Sequence, residues 1–266
     1  RDRIGVRPLY YASNYESEIT FSSTVEGLTR PMHWPPGRSG NIKNFRPNIL
    51  YTDDYSLPFF RKEIDYKQIR DTLIEAVKTR LVSDRPIACL LSGGLDSSII
   101  TDILVFLLGL ENVRTYSIGM EGSTDLKYAK IVADFLETKH TQIFFTPEEG
   151  FQAIPEVIQA VETYDITTIR ASVGMYLVSK FIKTNTNDTV IFSGEGSDEL
   201  LQGYLYFHKA PSPQEGEIEA LRLVKNLYKY DVRRADGCIS SNGLEPRVPF
   251  LDRKFVNLTL EMKTLD

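Results

Sequence analysis

The chain has 266 residues, of which 42% are hydrophobic and 25% charged, with a formal net charge of -5. That balance supplies a sizeable core, in one large domain or two modest ones, and it excludes the clustered basic face needed for general nucleic-acid or membrane-surface binding. Cysteine occurs only at Cys89 and Cys238, which excludes a disulfide framework and a four-cysteine zinc site and fits a reducing, cytoplasmic setting.

In chain order, "VRPLYYAS" and "ITFSST" read as short strands, followed by "RPMHWPPGRSGNIKNFRPN", a proline- and glycine-rich connector without a sustained period. The chain begins at Arg1 instead of a methionine, and no leader peptide is read. Residues 1–57 are therefore expected to be the end of a β-rich domain plus a linker, and residues 58–266 a second domain. From there strands and helices alternate, the signature of right-handed βαβ units, so the expected class is α/β: a doubly wound parallel sheet with flanking helices. A helix is predicted over 65–82. Ile87 to Leu91 form a short apolar run after the breaker "SDRP", which suits a strand covered on both faces. From Asp96 the pattern turns helical, with Leu95, Ile99, Ile103, Phe106 and Leu107 at three-to-four spacing until Gly109. The apolar run over 99–110 is broken by Thr101 and Asp102 and is too short to cross a bilayer. A strand at 113–118, a helix at 124–136 and a strand at 141–145 come next. Thr146 as N-cap, Pro147 at the first position and Glu149 completing a capping box then open another helix. The remaining expectations are a helix over 168–184, a strand over 189–193 and a helix over 214–235 with Ile218, Leu221, Val224 and Leu227 or Tyr228 facing inward.

Two loops carry chemistry. In the first, Ser92, Gly93, Gly94, Ser97 and Ser98 offer backbone N–H groups and hydroxyls where a strand runs into a helix, a place that favours an anion such as phosphate. The loop lacks the lysine of a P-loop, which sets aside the usual kinase and GTPase chemistry. Asp96 among phosphates would be repelled unless a divalent cation lay between, so it reads as a magnesium ligand, direct or through water. The plainer alternative is a helix cap beside a tight glycine turn. In the second loop, "FSGEGSDELLQGY", Glu195, Asp198 and Glu199 stand on the turn. Asp198 and Glu199 also suit a helix start, whereas Glu195 between two glycines is placed to meet a ligand or metal. The loops after Leu91, Ile118 and Ser193 are expected to converge at the carboxyl ends of the strands. His33, His140 and His208 have no metal-ligand spacing and receive no role.

In order along residues 58–266, "LLSGGLDSS", "YSIG", "ETYDITTIRAS", "SGEGSDELLQGYLYFHKAP" and "EPRVPFLD" resemble the synthetase domain of glutamine-hydrolysing asparagine synthetases. The front end, "RDRIGVRPLYY", resembles the tail of that family's glutaminase domain. "SGGLDSS" alone marks the wider pyrophosphate-loop ATP hydrolase group, which includes the GMP, NAD and argininosuccinate synthetases. The resemblance implies an adenine nucleotide alpha hydrolase-like fold and the use of ATP and magnesium to activate aspartate as β-aspartyl-AMP, from which ammonia displaces AMP. It implies adenosine contacts at Leu91, Ile118, Ser193 and Gly194, and pyrophosphate and magnesium contacts at Ser92, Gly93, Gly94, Asp96, Ser97 and Ser98. Glu195 matches the glutamate tied to forming and aminolysing the intermediate, and Asp198 a metal or substrate contact. Thr167, Thr168 and Arg170 fall in the matching "TTIR" segment, where the arginine could clamp a carboxylate or phosphate, and Asp231 and Arg234 fall in a matching helix as further substrate contacts.

The implied partners are aspartate, ATP and glutamine-derived ammonia, with no nucleic acid or membrane, and a homodimer is a further expectation. Alternatives are a β-lactam synthetase-like enzyme that closes a ring intramolecularly, and a nucleotide-binding remnant without turnover. The family's N-terminal cysteine nucleophile would precede Arg1, and a phosphate-contacting lysine would follow Asp266. These residues alone are therefore expected not to hydrolyse glutamine, and to adenylate slowly or not at all.

Overall fold

The computed structural model describes residues 6–13, 19–29, 41–44, 62–109 and 113–262. In the front segment β1 (Tyr10–Ser13) lies between β2 (Ile19–Ser22) and β3 (Asn41–Asn44) in an antiparallel sheet, with the single-turn helix α1 (Glu26–Thr29) beside it. Both predicted strands are present, but β3 falls in the stretch read as a connector without a sustained period. Its "NIKN" carries no apolar alternation and takes its structure from pairing with β1. The domain boundary placed at residue 57 lies outside the described residues.

The larger unit opens with α2 (Tyr66–Thr79), started by the Asp65 carboxylate, which accepts the Gln68 N–H at 3.0 Å. Next come β4 (Ile87–Leu90), α3 (Leu95–Leu108), β5 (Arg114–Gly119), α4 (Thr124–Phe135) and β6 (Lys139–Phe144). Helix α5 (Pro147–Val161) begins with the predicted capping box of Thr146 and Glu149, and α6 (Ile166–Asn185) leads into β7 (Val190–Phe192). The chain continues through α7 (Ser197–Leu201), α8 (Pro213–Asn226), α9 (Asp231–Ser240), β8 (Glu245–Arg247) and α10 (Arg253–Glu261).

The five strands of this unit are all parallel, in the order β6-β5-β4-β7-β8. The chain winds outward from β4 in one direction and from β7 in the other, so the order reverses between these two strands, the place where open α/β sheets bind ligands. Alternation along the strands sorts the core. Cys89, Val190 and Phe192 join α2, α3 and α10 on one face, while Ala88 and Ile191 join Val178 and Ile182 of α6 and Ile239 of α9 on the other. Helices thus cover both faces, as expected of a doubly wound sheet.

The inward stripes differ in detail from the sequence reading. Leu95 and Phe106 are exposed, and α3 turns Ile100, Ile103 and Leu104 inward. A helix this apolar all round gives periodicity little to select on. The helix expected over 214–235 is broken. Its first part buries Gly216, Ala220 and Val224 and leaves Ile218 exposed, then tightens to a 3₁₀ turn at Leu227–Lys229. Tyr230, at φ -121° and ψ -96°, leaves helical space, and α9 restarts on a new axis. Among the described residues, no helix is long and apolar enough to cross a membrane.

Candidate functional site

The loop leaving β4 is shaped by one glycine. Gly93 has φ +81°, and a Cβ there would run into the backbone of Tyr128 and Ala129 in α4, so only glycine lets the loop lie flat on that helix. Ser97 ties the turn together. Its hydroxyl receives the Ser92 N–H at 3.2 Å, lies 3.0 Å from the Ser92 hydroxyl and donates to the Gly94 carbonyl at 3.2 Å. The loop leaving β7 is fixed by the Ser193 N–H donating to the Arg247 carbonyl at 3.0 Å, and by Gly196 at φ +92° beneath Leu251.

The two loops touch. The Ser197 hydroxyl donates to Asp96 Oδ1 at 2.7 Å, and a Cβ on Gly194 would lie 3.0 Å from the Cβ of Asp96. Between and above them opens a cavity of about 510 Å³, large enough for a nucleotide. Leu91, Ser92, Gly94, Asp96, Ser97 and Ile118 line it from one side, and Ser193, Gly194, Glu195 and Asp198 from the other. Asp231 and Arg234 of α9 close the far wall. Gly93 and Ser98 stand behind this lining. Gly93 serves the turn, and the Ser98 hydroxyl donates back to the Gly94 carbonyl at 2.7 Å.

The "TTIR" segment sits differently. A side cavity of about 250 Å³, lined by Asp165, Thr167, Thr168, Tyr230, Asp231 and Arg234, shares its last two residues with the main one. Thr168 is buried, and both its N–H and its hydroxyl donate to Asp165 Oδ1 at 2.7 Å, so it serves the Asp165 cap of α6. Arg170 is exposed and lines neither cavity, because α6 carries it on its solvent face.

The main cavity is strongly acidic: Asp96, Asp125, Glu195, Asp198, Glu199 and Asp231 face it, with Arg234 as the single base in its lining among the described residues. Arg234 donates to Glu195 Oε2 at 2.7 Å and pairs with Asp231 Oδ1 at 2.9 Å. Burial raises the Glu195 carboxyl above its ordinary range, against the opposing pull of Arg234. Asp198 is raised by burial, then by the charges of Asp96 and Asp231. Glu199, 3% exposed, is pushed up to about 7, chiefly by burial, although the Tyr204 hydroxyl donates to it at 2.5 Å.

Sequence reasoning missed the cavity roles of Tyr204, Asp125 and the α6 wall of Ala171, Gly174, Met175 and Val178. The "LLQGY" turn and the helical spacing within "ASVGMYLV" were the available signals. Burial pushes both cysteine thiols up to about 12, which makes them inert packing groups. Among the described residues, no group of three or more histidine, cysteine, aspartate or glutamate side chains is placed to hold a metal ion.

A cavity at the switch point of a doubly wound sheet, with a donor-rich glycine loop facing an acidic one, defines an α/β protein built to hold a ligand at its strand ends. The family follows from comparison. Residues 68–223 and 217–264 match the asparagine synthase family, and the chain belongs to it. The glutamine-hydrolysing asparagine synthetase of Homo sapiens is 44% identical, and that of Gallus gallus 52%, each over 98% of this chain and 53% of the relative. The chain thus spans about half the length of the curated relatives it matches. Among solved structures, an NH3-dependent NAD synthetase from Campylobacter jejuni aligns over 67% of this chain and 78% of its own at 18% identity, with a TM-score of 0.38, too low to build on.

Proposed function

We propose that the chain forms the asparagine-making part of a glutamine-hydrolysing asparagine synthetase, acting in the cytoplasm, and that residues 1–57 are the end of its glutaminase domain. In this reading ATP activates the side-chain carboxylate of aspartate as β-aspartyl-AMP with release of pyrophosphate, and ammonia displaces AMP. Membership of the family and the names of the relatives support it. The observation that carries it is the Ser197–Asp96 hydrogen bond, which brings the donor loop and the acidic loop to one cavity.

A carboxylate resists attack by an amine because its leaving group is oxide, and a phosphate anhydride removes that obstacle. The apolar wall of Leu91, Ile118, Met175 and Val178 suits the adenine, and the N–H groups following β4 suit the phosphates. Asp96 and Asp198 face the same cavity, and burial, then the charge of Asp96, makes Asp198 harder to ionise. They fit magnesium, which takes one or two carboxylates plus substrate phosphate oxygens and needs no third protein ligand. When bound there, it would supply charge neutralisation for the departing pyrophosphate. Arg234 holds Glu195 against the junction of the loops, and burial leaves that carboxyl able to take up a proton from the attacking nitrogen. Arg170 has no place in this scheme.

The test is pyrophosphate production with ATP, magnesium, aspartate and free ammonia, since ammonia bypasses any need for glutamine hydrolysis. Aspartate-dependent release is expected. Release that proceeds equally without aspartate, or with a GMP precursor or citrulline in its place, overturns the assignment, and ring closure without added amine indicates the β-lactam type.

A further inference from the structure

We propose that Asp125 recognises the ribose hydroxyls of the nucleotide, an inference that rests on reading the cavity as an ATP site. Asp125 lies in the first turn of α4, exposed to solvent, and lines the main cavity. Its position is fixed from below. The backbone of Gly93 lies against Tyr128 and Ala129, one helical turn further along α4, and the buried Leu91 packs with Ala129 and Ala133. The start of α4 is therefore pinned beside the phosphate loop.

Bonding sets Asp125 apart from the other cavity acids. Asp96 accepts from Ser197, Glu195 and Asp231 are held by Arg234, and Glu199 accepts from Tyr204. Among the described residues, only Asp198 and Asp125 of the six have no hydrogen-bond or ion-pair partner. These two flank the phosphate loop on opposite sides, because Asp198 follows β7, Asp125 follows β5, and β4 runs between. Asp125 thus stands across the phosphate loop from Asp198, one of the carboxylate pair suited to magnesium.

What Asp125 meets follows from its side of the cavity. The β5–α6 side carries the apolar wall of Ile118, Met175 and Val178, where the nucleoside would lie. A carboxylate aimed at phosphate would repel it, whereas one beside a ribose accepts two O–H donors. An acid just past the strand next to the phosphate-loop strand is also where dinucleotide-binding sheets accept ribose hydroxyls.

Titrating the full chain with ATP and with 2′,3′-dideoxy-ATP, both with magnesium, tests this. A hydrogen bond to a charged group is worth roughly tenfold or more in affinity, so the unmodified chain should prefer ATP by about that factor. In Asp125→Ala the preference should collapse, with dideoxy-ATP and inorganic pyrophosphate binding as before. Asp125→Asn should keep part of the preference. Unchanged discrimination in Asp125→Ala overturns the proposal, as does equal weakening of both nucleotides, which would assign Asp125 to the phosphates or metal. Failure of ATP to bind the unmodified chain overturns the ATP-site reading itself, and is told apart because no substitution is involved.

Discussion

The loops after β4 and β7 start from the same Ser-Gly pair at the end of a buried parallel strand, yet they do opposite work. The first opens a helix with its backbone N–H groups, turns the Ser97 and Ser98 hydroxyls back onto its own Gly94 carbonyl, keeps its one carboxylate at the helix start, and is shaped by Gly93 against α4. The second is acidic throughout, and Arg234 reaches in from α9 to hold its central glutamate. A donor surface attracts phosphate unaided, whereas an acidic surface tolerates phosphate only with a cation between. On the proposed reading, the pairing suits this cavity to a metal-bound anion more than to a bare one.

Substitutions that strip each loop of its special feature should separate them. The largest effect is expected from Arg234→Ala, which strands Glu195 and Asp231 in a partly buried acidic cluster. Urea unfolding should show a loss of roughly 3–5 kcal/mol, and a smaller loss would mean that Glu195 simply takes up a proton. Gly93→Ala combines a left-handed backbone with a backbone clash and should cost about 2–3 kcal/mol, while Gly94→Ala, which meets only the Ser92 hydroxyl at 3.4 Å, should cost under about 1 kcal/mol. Equal costs at the two positions would show that the loop does not lie on α4 as described.

A further effect is a pH dependence. Glu199 has its carboxyl raised from 4.5 to about 7 in the folded chain, so its contribution to stability is fully present below pH 4.5 and is lost as pH rises through 7. Thermal melts should show that decline, on the order of 3 kcal/mol, and Glu199→Gln should flatten it. A decline of the same size in the variant would place its origin in Glu195 and Asp198, which shift in the same direction.

Much of the fold could be read in advance because its signals are local. The capping box at Thr146 and the apolar runs around Cys89 and Ile191 each state their element within a few residues. The same holds for both glycine loops, and their convergence follows from the adjacency of β4 and β7. What escaped depends on distant packing. The break at Tyr230 exists because α9 must turn toward Val161 and Glu195, where Arg233 donates to the Val161 carbonyl at 2.7 Å and Arg234 meets the glutamate. Nothing in "LVKNLYKYDVRRA" announces that turn. Arg170 shows the opposite failure: its chemistry and neighbourhood fit a site, but one step around a helix puts a side chain in solvent. Asp125 was passed over because a lone acid in a first helical turn is ordinary on electrostatic grounds.

The outermost strand has a consequence for self-association. The Glu245 N–H donates to the Thr189 carbonyl and the Arg247 carbonyl accepts from Ser193, so both residues turn their backbone polarity toward β7. Pro246 stands between them and turns its own backbone the other way, where proline has no hydrogen to offer. Pro246 is also buried, so a stray chain finds neither an open midpoint nor an amide donor on this side of the sheet, and fibril-like growth from it is discouraged.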